Sequence, residues 1–380
     1  MTLRSPCLWL LVAALGLLVG CVGQQAADQL EPTGAREGEE MSEVDKHYYL
    51  GAEYRRNDMY GEATREFMKV LELDPNYQKA YTNLGYIYLE QGRLGESVEA
   101  YEKAVELEPN DAEARGGLGW AYMASGQFND ASREYVAATQ LEPENPSNYV
   151  NLGAAYDKQG LLPESVEAYR KAVELDPRDI TNVLTLGNIL YENGVYDDAI
   201  TIYKRALSIS PDDFNVVKTL GWLNLKVENY AVAAEFYERA AGLKPADAQV
   251  RYFLAASYDK LDNTQQAVFH MEKALELNPE NPDFYWLLGD LYNKAKRYND
   301  AIAVVRRELE IRPNSAAAYC IWGKALEKQG RFEEAKSQFQ KALACNDPAW
   351  HSYAATEIDR QDKHIERREL LKEQEELEEE

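Results

Sequence analysis

Apolar and small residues recur along most of this chain in a pattern that repeats every 34 residues. Within each repeat, positions 4, 7, 8 and 11 fall on one face of a helix, and positions 20, 24 and 27 fall on one face of a second helix. The register is marked by proline at position 32, at Pro75, Pro109, Pro143, Pro177, Pro211, Pro245, Pro279 and Pro313. Such a fixed period predicts a linear stack of helix-turn-helix units rather than a globular core.

Small and large residues occupy fixed places in each repeat. Position 8 is glycine in all units but one, position 20 is alanine or serine, and position 24 is commonly tyrosine, as in Tyr101, Tyr135 and Tyr169. Glycine at position 15, as in Gly92 and Gly160, suits the left-handed residue that closes a helix. Position 34 is Asp, Asn or Ser in seven of the first eight units, which provides the N-cap of the following helix.

These residues resemble the signature of the tetratricopeptide repeat (TPR) family: a large residue, Leu-Gly, Tyr, Ala, Phe/Tyr, Ala and Pro at these positions. The resemblance implies an all-α, right-handed α-solenoid, or superhelix, of nine TPR units over residues 44–349, followed by a capping helix and charged tail over 350–380. The seventh and eighth units depart from the signature, with Ala255 for glycine, Met271 for the aromatic residue and Glu308 at a small position. Looser helix pairing is expected there.

The N-terminal segment has a different character. Residues 1–20 carry one basic residue, Arg4, and an apolar run from Cys7 to Gly20 that is too short to span a membrane, which predicts a signal peptide. The run ends in Leu-Val-Gly-Cys21, which resembles the lipobox of bacterial lipoproteins and implies lipidation of Cys21. The alternative is an ordinary signal peptide with a chance cysteine. Residues 21–43 therefore comprise the predicted lipidated cysteine and a following segment without an apolar period, which we interpret as a disordered tether.

The chain is strongly acidic, with 65 acidic and 41 basic residues and a net charge of −24. This balance argues against a nucleic-acid partner and against adhesion to anionic lipid, and it fits either a basic partner or simple solubility. The cysteines Cys320 and Cys345 belong to different helices of the ninth unit, and we expect both to be free thiols.

No catalytic or cofactor site is predicted. The four histidines have no metal-ligand spacing with other candidate ligands, and the glycines are explained by packing or turns rather than by a phosphate-binding loop. We therefore expect no enzyme activity, no metal and no cofactor.

In the TPR family, positions 2, 5, 6, 9, 12 and 13 of the first helices line the concave face. Transferred to this chain, they predict an aromatic, weakly charged partner groove. Its members are Tyr48, Asn83, Tyr86, Trp120, Met123, Asn151, Asn188, Lys218, Trp222, Tyr252, Phe253 and Trp286, with Asp290 and Lys324 toward the C-terminus. Buried aromatic residues are the usual anchors of binding energy.

The resemblance to bacterial TPR lipoproteins implies a lipid-anchored scaffold in the cell envelope, most simply at the outer membrane and facing the periplasm. Its partners would be one or more envelope proteins of an assembly or secretion complex, and its membrane contact would be the lipid on Cys21. The alternative is an accessory protein of polysaccharide export, in which the aromatic groove binds a sugar polymer.

Overall fold

The computed structural model describes residues 41–345 and 347–379, and every regular element in these ranges is an α-helix. The predicted signal segment, Cys21 and the predicted tether up to residue 40 lie outside the described residues. The helices, in chain order, are α1 (Glu43–Arg56), α2 (Tyr60–Leu73), α3 (Gln78–Glu90), α4 (Leu94–Leu107), α5 (Ala112–Ala124), α6 (Phe128–Leu141), α7 (Pro146–Gln159), α8 (Leu162–Leu175), α9 (Ile180–Glu192), α10 (Tyr196–Ile209), α11 (Phe214–Lys226), α12 (Tyr230–Leu243), α13 (Ala248–Lys260), α14 (Thr264–Leu277), α15 (Pro282–Lys294), α16 (Tyr298–Ile311), α17 (Ala316–Lys328), α18 (Phe332–Ala344) and α19 (Pro348–Glu379).

The helices pair as the repeat predicts. In repeats one to four and six to nine the first helix packs against the second, and the second packs against the first helix of the following repeat wherever both lie in one compact unit. The chain forms two such units, which meet in sequence between Ile189 and Leu190, within α9. The fold is therefore an α-solenoid of TPR type, as the sequence predicted.

Close packing within a repeat depends on glycine at position 8. A Cβ atom placed on Gly85 would lie 2.6 Å from the Tyr101 ring, and one on Gly153 would lie 2.7 Å from the Tyr169 ring. Where position 20 is serine, its hydroxyl also donates a hydrogen bond to the glycine carbonyl, at 2.7 Å from Ser97 to Gly85. The aromatic ring thus takes the space that a side chain at position 8 would need.

The departures in repeats seven and eight are accommodated inside the core. Ala255 and Met271 are both fully buried, because a flexible methionine leaves room for the alanine methyl group that a rigid ring would exclude. Glu308 is also fully buried, and its carboxylate accepts a hydrogen bond of 2.5 Å from the Ser315 hydroxyl. Its second oxygen has no hydrogen-bond partner among the described residues.

A recurring hydrogen bond links adjacent repeats. The tyrosine at position 11 donates to the glutamate at position 25 of the preceding repeat, at 2.7 Å from Tyr122 to Glu102 and at 2.8 Å from Tyr292 to Glu272. Burial, together with this bond, raises the pKa of Tyr122 to about 12. These bonds bridge repeats two to three and seven to eight.

The last helix is longer than the capping helix that the sequence suggested. Helix α19 runs without interruption from Pro348 to Glu379 and packs against α17 and α18. Ala354 and Gln361 are fully buried in this contact, and the His364 ring stacks on Phe332 with centroids 4.8 Å apart. Among the described residues, no helix is long and apolar enough to span a membrane.

Candidate partner-binding face

The candidate site lies on the first helices of the first compact unit. Helices α1, α3, α5 and α7 lie side by side, since each contacts the next one in this series. Their aligned surfaces form a continuous face, which we call the first-helix face, built from positions 2, 5, 6, 9 and 12 of each repeat. In the sequence, a second helix follows each first helix, so neighbouring helices of this face are not consecutive along the chain.

Four residues of α5 share one side of that helix. Glu113, Gly116, Trp120 and Met123 follow one another at intervals of three or four residues, which brings them into line along a helix. The helix begins at its N-cap Asp111, whose side chain accepts hydrogen bonds from the backbone N–H groups of Glu113 and Ala114. We call these four residues the α5 stripe.

The two adjacent glycines of α5 have opposite surroundings. A Cβ atom on Gly117 would lie 2.2 Å from the Tyr101 ring of the preceding repeat, so packing requires glycine there. A Cβ atom on Gly116 would meet nothing within 4 Å, although Gly116 itself is buried. The α5 stripe therefore contains a sheltered hollow at Gly116 that no side chain of the described residues fills.

Trp120 differs from the other described tryptophans. Trp222, Trp286, Trp322 and Trp350 all pack against apolar clusters. Trp120 is half-buried, belongs to no such cluster and has no ring or cation partner among the described residues. Its ring therefore offers apolar surface beside the hollow without contributing to a core.

The α5 stripe contains one unpaired carboxyl group, that of Glu113. Glu113 is accessible to water but lies among enough surrounding atoms for desolvation, together with Asp111, to raise its pKa, while Arg55 and Lys79 oppose this shift. Its carboxylate makes no ion pair or hydrogen bond within the described residues. The Arg55 guanidinium lies over the Tyr86 ring, 5.3 Å from its centroid.

The remaining predicted residues of the first unit have mixed surroundings. Tyr48 is buried against Phe67 and Tyr77, with centroids 5.8 and 5.2 Å away. Asn83 is buried, and its side-chain oxygen has no partner among the described residues. Met123 packs beside the cluster around Tyr135, Asn151 is half-buried and Asn188 is exposed.

In the second compact unit, the predicted groove residues mostly pack against the protein itself. Trp222 is enclosed by Tyr191, Tyr196 and Lys226, at 4.8, 6.0 and 4.6 Å from its ring. Lys218 pairs with Asp247 at 3.9 Å.

The three other predicted aromatic residues of this unit also have ring or core contacts. Tyr252 stacks on Phe284 with centroids 5.4 Å apart, and Phe253 stacks on Tyr237 at 5.5 Å. Trp286 packs against the cluster that contains Val305 and Ile321. Most of the predicted anchors in this unit therefore already contribute to its stability.

In the C-terminal part of the second unit, the first helices are connected by a network of ion pairs. Lys294 bridges Asp259 at 2.6 Å and Asp290 at 3.2 Å, and Lys324 reaches Asp290 at 3.5 Å. These ion pairs join repeats seven to nine. No group of described residues has the arrangement of a metal site.

Sequence reasoning named Trp120 and Met123 but not Glu113 or Gly116. The available signal was the Gly116-Gly117 pair inside a helix, where glycine is unfavourable and must have a local reason. Packing against Tyr101 explains the glycine at position 117 but not the one at position 116.

A paired-helix array with such a face defines the chain as a helical repeat protein of the solenoid class. Models of the tetratricopeptide repeat match residues 66–99, 88–156, 148–179 and 187–226, and a model described as anaphase-promoting complex, cyclosome, subunit 3 matches 260–342. The chain belongs to the tetratricopeptide repeat family. Proteins with this fold are typically non-enzymatic scaffolds for protein–protein interaction. Among curated proteins, none matches this chain.

Solved structures are similar to parts of this chain. The C-terminal part of a TPR protein from Cytophaga hutchinsonii is 18% identical, with a TM-score of 0.54, and the match covers 63% of this chain and 97% of that one. The MamA protein is 27% identical, with a TM-score of 0.42, over 44% of this chain and 91% of that one. YrrB, a TPR protein with an unusual peptide-binding site, is 23% identical, with a TM-score of 0.42, over 48% of this chain and 94% of that one.

Proposed function

We propose that this chain is a lipid-anchored scaffold of a bacterial cell envelope that recruits a partner protein through the first-helix face of repeats one to four. The observation that carries the proposal is Trp120, which is half-buried on that face and has no ring or core partner among the described residues. A large aromatic side chain beside an unfilled hollow is the surface that anchors binding energy in protein interfaces.

The proposal includes no catalytic step. The anchor is supported by Leu-Val-Gly-Cys21 at the end of an apolar run, and the envelope location follows from that motif. The partner would be a component of an assembly or secretion complex at the periplasmic face of the outer membrane.

The partner-binding role is tested by capture with the full chain and mass spectrometry, comparing the unaltered protein with Trp120→Ala. We expect the variant to lose partner affinity by about 2 kcal/mol or more, with little change in melting temperature, because Trp120 is outside the apolar clusters. The matched control is Trp222→Ala at the equivalent position of repeat six, which should lower the melting temperature because that ring is packed. If Trp120→Ala unfolds the protein, or captures its partners unchanged, the role of this face is wrong.

The same variants separate a protein partner from a sugar polymer. A polysaccharide stacked on Trp120 would change tryptophan fluorescence on direct titration, and Trp120→Ala would remove that change. Fluorescence that responds to polysaccharide in this way, without any captured protein, would overturn the protein-scaffold proposal in favour of polysaccharide export.

The anchor is tested separately with Cys21→Ala. We expect this variant to incorporate no labelled fatty acid and to leave the membrane fraction, because the acyl chains provide the membrane affinity. A mature Cys21→Ala protein that still fractionates with membranes would contradict lipid anchoring.

A further inference from the structure

We infer that the hollow at Gly116 receives a lysine or arginine side chain of the partner, with its cationic group at Glu113 and its aliphatic stem against Trp120. This inference rests on the proposed function, because it specifies which kind of protein segment the first-helix face binds. It names the partner chemistry as basic, and it assigns a binding role to Glu113 and Gly116.

The geometry of α5 sets the dimensions of the site. At a rise of 1.5 Å per residue, Glu113 lies about 4.5 Å along the helix axis on one side of Gly116, and Trp120 lies about 6 Å on the other. Residues four apart lie on the same face of a helix, so Trp120 stands one turn beyond the hollow on its open side. Lysine and arginine side chains combine an apolar stem with a charged end. The α5 stripe matches them, because Trp120 offers apolar surface for the stem and Glu113 offers a carboxylate for the charged end.

The charge around the hollow favours a cation. Three carboxylates, from Asp111, Glu113 and Glu142, act on this region together with two cations, Arg55 and Lys79. Asp111 caps α5, and Glu142 accepts hydrogen bonds from Asn145 and Asn148, so both of these carboxylates are engaged. Glu113 alone among the three lacks a partner in the described residues, and the chain as a whole carries a net charge of −24.

Glycine at position 116 has no packing explanation. Inside a helix, glycine is the least favourable residue except proline, and nothing in the described structure would obstruct a Cβ atom at this site. The neighbouring Gly117 shows the contrast, since its place is required by the Tyr101 ring. Gly242 is also unobstructed but is exposed, whereas Gly116 is buried on the same face as an unpaired carboxylate and a half-buried ring, which is why we assign a function to Gly116.

The neighbouring helix α3 adds no accessible polar group at position 83. Asn83 on α3 is buried, and its side-chain oxygen has no hydrogen-bond partner among the described residues. Its amide nitrogen is already used, donating to the Lys79 carbonyl at 2.7 Å. This oxygen is inaccessible to solvent, so the proposed ligand contacts come from α5 alone.

The test uses the full chain and two fluorescein-labelled peptides of twelve residues, one alternating lysine with glycine and the other glutamate with glycine. Binding is measured by fluorescence anisotropy at physiological ionic strength. We expect the lysine peptide to bind and the glutamate peptide not to bind. Glu113→Gln should raise the Kd of the lysine peptide by about fivefold or more, and Gly116→Leu by about tenfold or more.

Two matched variants separate the site from general acidity and from surface change. Glu106→Gln removes one carboxylate from an exposed position of α4, and Gly242→Leu adds the same side chain at an exposed, unobstructed glycine of α12. Each should change the Kd by less than about twofold, since neither lies on the first-helix face. Melting temperatures confirm that every variant is folded, and Glu113→Gln, which alters an accessible side chain, decides the outcome if Gly116→Leu fails to fold.

The inference is overturned if Glu113→Gln and Glu106→Gln weaken the lysine peptide equally, because binding would then reflect overall charge. It is also overturned if the glutamate peptide binds as tightly as the lysine peptide, which would point to Arg55 instead. Neither result would change the conclusion drawn from the capture experiment with Trp120→Ala, so the scaffold function and the preference for a basic ligand are tested independently.

Discussion

The turn residue at position 15 has a left-handed backbone in all nine repeats. Five of these residues are glycines, but Asp58, Glu228, Asp262 and Lys296 hold the same conformation with φ between 56° and 61°. A side chain at positive φ is unfavourable by about 1–2 kcal/mol, and least so for Asp. The strain at this position is therefore largest at Glu228 and Lys296.

We predict that Glu228→Gly and Lys296→Gly each stabilise the protein by about 0.5–1 kcal/mol, because glycine adopts positive φ without a steric penalty but is more flexible when unfolded. Asp58→Gly should gain less. Urea unfolding of each variant checks this. The reciprocal change, Gly160→Lys at φ 74°, should destabilise the protein, and a neutral result there would contradict the role of strain.

Glu308 is the residue whose ionisation should control stability. Burial raises its pKa from 4.5 to about 7, with the nearby Asp283 adding to the shift and Ser315 and Arg312 opposing it. The folded state therefore keeps the carboxyl protonated at pH values where the unfolded chain releases the proton. Stability from this group is full below about pH 4.5 and falls as the pH rises to about 7.

We predict that Glu308→Gln removes this pH dependence and that Glu308→Ala, which restores the alanine common at position 27, stabilises the protein at pH 8 by on the order of 2–3 kcal/mol. Urea unfolding at pH 5 and pH 8 measures both effects. Glu310→Gln, on the same helix but exposed, is the control and should change neither. Equal stability of the unaltered protein at the two pH values would show that Glu308 is hydrated.

At the scale of the element, the close spacing between helices α4 and α5 depends on glycine at position 117. The Tyr101 ring of α4 occupies the space above both Gly85 in its own repeat and Gly117 in the next, so one ring fixes two helix contacts. Its burial raises the pKa of the Tyr101 hydroxyl. The hollow at Gly116 lies one residue away but outside this contact.

We predict opposite effects from the same substitution at adjacent positions of α5. Gly117→Ala should destabilise the protein by about 1–3 kcal/mol, because its methyl group would overlap the Tyr101 ring. Gly116→Ala should stabilise it by about 0.5–1 kcal/mol, because alanine favours the helix and meets no obstruction. Thermal melting of the two variants checks the pair, and a loss of stability in both would mean that the hollow is not open.

At the scale of the whole molecule, stability in a linear array depends on covered ends. Helix α19 covers the last repeat, and the Cys320 thiol lies in the apolar cluster that Ala354 of α19 helps to form. Both Cys320 and Cys345 are free thiols, as predicted from the sequence, and burial raises the pKa of Cys320 to about 12. A buried thiol of this kind reacts slowly with thiol reagents.

We predict that ending the chain at Asp347 makes Cys320 react rapidly with a thiol reagent at pH 8, because its cover is removed. Labelling is read at Cys320 by peptide mass mapping, with Cys345, which is partly exposed, as the internal reference. A chain ending at Leu370 keeps the buried part of α19 and should label like the intact protein. Slow labelling of Cys320 in the shorter chain would show that α19 is dispensable as a cap.

The sequence by itself determined the repeat, because its signals are local: glycine and tyrosine at fixed spacing, a capping residue before most first helices and proline after each second helix. It also predicted which face of each helix is apolar. It could not determine how far α19 continues, since the charged residues after Arg360 suit either a helix or a tail, and the helix is held in part by His364 on Phe332.

Only the tertiary structure decided which of the equivalent residues are available for binding. Trp120 and Trp222 both occupy position 9 and cannot be distinguished by pattern, yet Trp222 is covered by Tyr191 and Tyr196 of the preceding repeat, whereas Trp120 has no such cover among the described residues. Periodicity reports the face of one helix, whereas exposure depends on side chains that another repeat contributes. For the same reason the sequence does not distinguish Gly116 from Gly117. Only the position of the Tyr101 ring shows that Gly117 lies in a helix contact and Gly116 in the hollow.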